Sequence, residues 1–173
     1  MKNPYYYIGA NPTADLVIIN PNDEILMIKR SKDSPACAGL WALPGGFVDT
    51  VATKGQQWLG GLETPDQAAV REVLEETNLS LDNPQLIFVG VFEGNNRDPR
   101  DNQESWSKSF AYCYNIPNDI YESQKSKIVG TDDAEQASWI KIDEVLNMSL
   151  AFDHKDIIQT AISKLKKSNK PKV

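Results

Sequence analysis

The residues best placed for chemistry are Glu72, Glu75 and Glu76, three carboxylates within five positions. On a helical wheel of ~100° per residue they share one arc of ~100°. Val70, Val73, Leu74 and Thr77 fall opposite. Ala68 and Ala69 flank the acidic arc and are small enough to admit a second backbone. Like charges at this spacing repel one another, and two readings compete. One is a solvated face partly neutralised by Arg71. The other is a hard-cation site, because clustered carboxylate oxygens are what Mg²⁺ takes. Upstream, Leu43-Pro44-Gly45-Gly46-Phe47-Val48 reads as a Gly-rich turn after an apolar run, where backbone could approach a metal or a phosphate. That neighbour shifts the balance toward the cation site.

A helix must present these glutamates, and its ends are written in the sequence. Thr64 suits the cap, Pro65 the first helical position, and Gln67 completes a capping box. Asn78 suits the left-handed residue that closes a helix. Before this helix, Ala14–Ile19 and Glu24–Lys29 are β-branched apolar runs around the turn Asn20-Pro21-Asn22-Asp23, a hairpin pattern. Leu40–Leu43 reads as a short strand. After the helix, Gln85–Glu93, Lys108–Ile116 and Ala137–Ile142 read as strands. Asp143–Leu146 reads as a short helix. Asp153 is expected to cap a last amphipathic helix burying Ile157, Ile158, Ala161, Ile162 and Leu165, with Lys164, Lys166 and Lys167 near its C-terminal dipole. Residues 168–173 read as a frayed tail. Tyr5–Ile8 reads as a first strand or an aromatic lid, packed at the core or an edge or else stacked on a ligand base. The expected class is α+β.

Taken together, Gly46, Glu63 and Arg71-Glu72-Val73-Leu74-Glu75-Glu76-Thr77-Asn78-Leu79 resemble the Nudix hydrolase signature. Seven residues separate Glu63 from Arg71, as in the family. Two positions depart from it. Asn78 stands for Gly, a mild change because both tolerate a left-handed backbone. Residues 47–62 replace a loop of only five, so the segment carrying Glu63 is remodelled. Its extra length, Thr50–Leu62, holds Lys54, Gly55, Trp58 and Gly60-Gly61. A passive surface loop is one reading, and a substrate-covering flap with Trp58 as a contact is the other.

The resemblance implies an α/β/α sandwich with a mixed sheet, in one Nudix domain spanning 1–173. It implies hydrolysis of a nucleoside diphosphate linked to another moiety, with Mg²⁺ or Mn²⁺ as cofactor. Glu72, Glu75 and Glu76 would ligate the metal, with the backbone carbonyl of Gly46 as a further ligand. Arg71 would orient the glutamates, and Glu63 would ligate or assist. For the catalytic base, Asp133, Glu135 and Glu104 are the candidates. Arg97 and Arg100 are either solvated charges or a pair that grips the diphosphate, with Gly45 and Gly46 as backbone contacts.

Arg97-Asp98-Pro99-Arg100, Thr131-Asp132-Asp133-Ala134-Glu135 and Ala151-Phe152-Asp153-His154 look similar to stretches in ADP-ribose pyrophosphatases and in ADP-ribose-sensing Nudix regulators. ADP-ribose, cleaved to AMP and ribose 5-phosphate, is therefore the leading substrate. Other Nudix substrates, namely (d)NTPs, dinucleoside polyphosphates or NADH, form a second reading. A non-catalytic ADP-ribose-binding module forms a third. The regulators add a DNA-binding domain, which this length is not expected to accommodate.

Composition sets outer bounds. At 173 residues with 40% hydrophobic content, one domain with a full core is expected. A net charge of −6 without a broad basic patch argues against nucleic acid. Bound divalent cations would reverse the local sign for an anionic substrate. No apolar run is long enough to span a membrane, and no signal peptide is expected from the opening residues. Cys37 and Cys113 have no metal-like spacing, and a lone histidine excludes a His-rich zinc site. Free thiols fit a cytoplasmic location. The expected partner is a small nucleotide diphosphate, and a homodimer is left open.

Overall fold

The computed structural model describes residues 5, 7–52, 55–58, 60–94 and 97–168. Tyr6, Lys54, Asn95, Asn96, the side chains of Lys167 and Ser168, and the tail 169–173 lie outside the described residues. Seven strands form one mixed sheet: β1 Gly9–Ile19, β2 Glu24–Arg30, β3 Trp41–Ala42, β4 Gly45–Phe47, β5 Ile87–Glu93, β6 Ser105–Asn115 and β7 Ala134–Lys141. Four helices accompany it: α1 Pro65–Thr77, α2 Asn118–Gln124, α3 Ile142–Asn147 and α4 His154–Ser168. This is the expected mixed α+β class. Helix α2 has no counterpart among the expected elements, and β4 stands where a turn is expected. Among the described residues no helix is long and apolar enough to cross a membrane.

Alternation along β1 builds two cores. Leu16 and Ile18 face α1 with Leu26, Val48, Ala68, Ala69 and Val73. Val17 and Ile19 face the other way, with Ile157, Ile158, Ala161 and Leu165 of α4. Side chains of a strand point alternately to its two faces, so helices cover both. The result is the α/β/α layering expected from the resemblance.

The feature that makes the site is a fork in the sheet. β1 and β2 share one register pair, Ile19↔Ile25, and then part. Beyond the fork, β4 pairs the freed edge of β1 through Thr13, Ala14 and Asp15. β3 pairs β2 through Ile28 and Lys29. Residues 41–47 therefore run across the opening. The other edge of β1 stays paired with parallel β6 along its length, and β7 lines the other edge of β2.

Helix α1 closes the fork. Gln67 Oε1 accepts the Thr64 N–H at 2.9 Å, Pro65 opens the helix, and Asn78 ends it at φ 59°. Its buried face is rotated from the one read off the wheel. Glu76 is 3% exposed, whereas Leu74 is 47% exposed. The small Ala68 and Ala69 pack inward against the sheet, and this turns Glu72 and Glu76 toward the opening and Leu74 outward. Tyr5 is buried edge-on against Phe47, with Arg100 over its ring, so it packs rather than forming a strand.

Candidate active site

A cleft of about 440 Å³ opens at the fork, walled by β1, β4, the end of β2, α1 and the loops before β6, β7 and α4. Eight carboxylates and four guanidinium groups line it. Glu76 lies deepest on the α1 side. Its Oε2 accepts the Gly45 N–H at 2.9 Å. Burial pushes its carboxyl well above the ordinary range, the Gly45 N–H opposes this, and the nearby Glu72 charge adds to it. Burial likewise pushes Glu72 up to about 7, against the pull of the Arg71 charge. Glu75 sits at the more exposed rim.

Arg71 organises this wall. Its Nη1 donates to Glu72 Oε1 at 2.9 Å and to Glu75 Oε2 at 2.8 Å. Its Nε reaches both Glu63 oxygens, and Nη2 donates to Glu63 Oε1 at 2.7 Å and to the Phe47 carbonyl at 3.0 Å. Every N–H of the guanidinium is thereby used. For Glu63, burial alone would raise the carboxyl, but Arg71 and the Asp49 N–H together hold it below its ordinary value. Glu63 thus braces Arg71 from the remodelled loop.

The two glycines are required by space. A Cβ on Gly46 would lie 2.4 Å from Glu72 Oε1, and one on Gly45 would lie 2.2 Å from the Ala14 carbonyl. No residue with a side chain fits between β1 and the glutamates.

A divalent cation fits the chemistry of this wall. The donors are all hard oxygens. Gly46 leaves a cradle that a side chain would fill. Glu76 is a buried carboxylate bonded to a neutral amide rather than to a cation. Among the described residues, however, no three acidic, histidine or cysteine side chains converge into a closed ligand cluster. Arg71 instead supplies the positive charge between Glu72 and Glu75.

The remaining predicted residues divide. Arg97 and Arg100 line the cleft, but neither is a free grip. Arg97 is 5% exposed, pairs bidentately with Asp153 at 2.9 and 2.7 Å, and also donates to Ser107. Arg100 pairs bidentately with Asp98. A buried guanidinium must be paired, and these two are paired internally. The Asp153 carboxylate consequently serves Arg97, while its carbonyl accepts the first amides of α4. Asp133 lines the cleft at its exposed rim with Asp132, whereas Glu104 and Glu135 do not line it. Trp58 is also outside the cleft and packs on the α1 core.

The cleft also takes in Asp15 and Arg30, which no sequence pattern marks, and Phe152 and His154, which the sequence marks only through the stretch Ala151–His154. His154 is buried, and its Nδ1 accepts the Leu43 N–H at 2.9 Å. Its proton therefore sits on Nε2, 3.5 Å from Asp15 Oδ1. Burial lowers its pKa, with the Asp15 charge opposing. The ring thus ties α4 to the strand leading into Gly45. No local pattern announces this, since the partners are 111 positions apart.

The model of the NUDIX domain matches residues 9–161. The chain belongs to the NUDIX family. Among curated relatives, this NUDIX chain is 31% identical over 156 residues to the ADPR responsive transcriptional repressor NtrR of Acinetobacter baylyi. That match covers 88% of this chain and 53% of the repressor, so the chain spans about half of that relative's length. It is 32% identical over 143 residues to the ADP-ribose pyrophosphatase of Methanocaldococcus jannaschii, covering 82% of this chain and 68% of that one. The NUDIX domain of Shewanella oneidensis NrtR complexed with ADP ribose superposes with a TM-score of 0.66 at 25% identity, covering 91% of this chain and 89% of that one. With a transcriptional repressor among its relatives, this NUDIX chain is not separated from nucleic acid by its net charge alone.

Proposed function

We propose that this NUDIX chain hydrolyses the diphosphate of ADP-ribose to AMP and ribose 5-phosphate. Mg²⁺ or Mn²⁺ would be held by Glu72, Glu75 and Glu76, with the Gly46 carbonyl adjacent. The observation that carries the reading is the buried carboxylate of Glu76, bonded only to the neutral Gly45 amide and set beside the half-buried Glu72 against a glycine strand. Burying charge without compensation is costly, and functional sites are where that cost is tolerated. When bound, a divalent cation neutralises diphosphate oxygens and acidifies water.

The chain's own residues supply the frame. Arg71 fixes Glu72 and Glu75 from behind, leaving the second oxygen of each outside its hydrogen bonds. Gly45 fixes Glu76. Asp133 at the rim is the candidate to accept a proton from the attacking water. ADP-ribose is favoured by the pyrophosphatase relative and by the ADP ribose bound in the NrtR domain.

The second reading is an ADP-ribose-binding module without turnover. The repressor relative and the unconverged glutamates favour it. One experiment separates the two. ADP-ribose, NADH, dinucleoside polyphosphates and (d)NTPs are incubated with Mg²⁺ or Mn²⁺, products are scored, and ADP-ribose binding is measured alongside by calorimetry. AMP and ribose 5-phosphate from ADP-ribose is the expected outcome. Tight binding without product supports the module, and faster turnover of another substrate moves the enzyme to another branch.

A further inference from the structure

We infer that Arg30 is the residue that grips the substrate diphosphate, in place of Arg97 and Arg100. This rests on the proposed diphosphate chemistry of the cleft. Arg71, Arg97 and Arg100 commit their guanidinium groups to carboxylates. Arg30, at the end of β2, lines the same cleft, near enough to Glu76 of α1 for its charge to act on that carboxyl. Its Nε donates to the Ala36 carbonyl at 3.1 Å, and no carboxylate lies within ion-pair distance of it among the described residues. One edge of the fork is thus anchored. Both terminal nitrogens, the pair that matches phosphate oxygens bidentately, are left without a carboxylate.

The guanidinium also lies over an aromatic ring. Its carbon lies 5.1 Å from the centroid of the Phe152 ring, a cation–π arrangement. Phe152 adopts φ 52°, a left-handed backbone that is unfavourable for a bulky aromatic residue. Such strain persists only where surrounding structure imposes it, and it gathers at ligand sites. Here it sets the ring beneath the Arg30 guanidinium. The ring also packs 5.3 Å from His154, which is itself fixed to Leu43. A charge pre-positioned in this way loses little side-chain entropy on binding an anion.

The test uses Arg30→Met, which keeps the apolar stem over Phe152, and Arg30→Lys, which keeps the charge without the fork. Binding of inorganic pyrophosphate, ADP-ribose, AMP and adenosine is measured with Mg²⁺ by calorimetry, with ADP-ribose turnover in parallel. Arg30→Met is expected to weaken pyrophosphate and ADP-ribose binding about 30- to 100-fold, in line with loss of charge-assisted bonds of ~2–3 kcal/mol. AMP should be affected less and adenosine not at all, and Arg30→Lys should fall between. A residue that merely supports the fold would not make the loss follow the phosphate count. Equal loss for adenosine and pyrophosphate, or no loss in Arg30→Met, overturns the inference, as does a wild-type protein that binds no pyrophosphate. Pyrophosphate binding that depends on Arg30 in a protein without ADP-ribose turnover would leave this inference standing and remove the hydrolase reading alone.

Discussion

Burial raises both carboxyls, Glu72 to about 7 against the pull of Arg71 and Glu76 well above the ordinary range. Glu76→Gln keeps the side-chain shape and an oxygen for the Gly45 N–H, but removes the charge. Turnover of ADP-ribose is expected to fall by roughly 10²–10⁴-fold, the scale of losing a metal ligand or acid–base group. The metal-free variant should melt at the same temperature as the parent or higher, because a desolvated charge has gone. Full turnover in the presence of a chelator would end the metal reading. Gly46→Ala tests the same wall from the other side. Its methyl would meet the Glu72 carboxylate at 2.4 Å, so Glu72 must move away from Arg71 or β4 must shift. Steady-state kinetics are expected to show a loss at least as large as that of Glu72→Gln. Near-parental turnover of Gly46→Ala would mean that Glu72 does not work from this position.

At the scale of elements, the described residues of the inserted segment Thr50–Leu62 are anchored. Its neck is closed by the Thr50↔Gly61 pairing and by Leu62 N–H to the Asp49 carbonyl at 2.7 Å. Farther along, the Gln56 carbonyl accepts the Ile8 N–H at 2.9 Å. Trp58 packs on the core beside α1, and its indole nitrogen is buried with no hydrogen-bond partner among the described residues. These contacts favour the passive-loop reading over a flap. Trp58→Ala is therefore expected to lower stability by about 1–3 kcal/mol, the cost of removing a half-buried aromatic. It should leave kcat/KM within about twofold, as for a substitution that touches no substrate. Thermal melts and kinetics on the same preparation check both halves. A large rise in KM with an unchanged melt would restore the flap.

Stability of the whole molecule should carry the imprint of the glutamates. Glu72 has a folded pKa above its ordinary value of 4.5. Its favourable contribution is full below about pH 4.5 and is lost as pH rises through about 7. Glu76 acts in the same direction. Glu63, Asp98 and Glu24 are held below their ordinary values, so they contribute stability above those values and lose it only in stronger acid. Between pH 5.5 and 8 Glu72 by itself is therefore expected to take about 2 kcal/mol from the metal-free protein, at ~1.4 kcal/mol for each pH unit over which its folded carboxyl keeps a proton that the unfolded one has lost. Glu72→Gln should flatten that slope. Saturating Mg²⁺ should reverse it, since a cation binds the ionised carboxylates and stabilises the fold by mass action. Melting temperature against pH, with Mg²⁺ and with chelator, reads all three effects. A parental slope in Glu72→Gln would remove Glu72 as the cause.

Helix α1 is legible in the sequence because its determinants are local. Thr64, Pro65, Gln67 and Asn78 act within a turn of themselves, and the carboxylate spacing is fixed by the helical repeat. The main strands are legible for the same reason, as alternation is a short-range property. The roles of single side chains depend on partners far away in the chain. Leu74 and Glu76 exchange places between surface and interior because packing of Ala68 and Ala69 on the sheet sets the rotation of α1. Arg97 has the spacing of a phosphate grip, but the fold brings its partner Asp153, 56 positions on, beside it. Arg30 reads along the chain only as the residue that follows a strand. It becomes a cleft residue because the fork between β1 and β2 opens beside it and Phe152 comes to lie against its guanidinium. Sequence determined which elements form and which carboxylates share a face. Only the tertiary structure decided which charges are neutralised internally and which remain for a ligand, because pairing is a property of distance in space rather than of spacing along the chain.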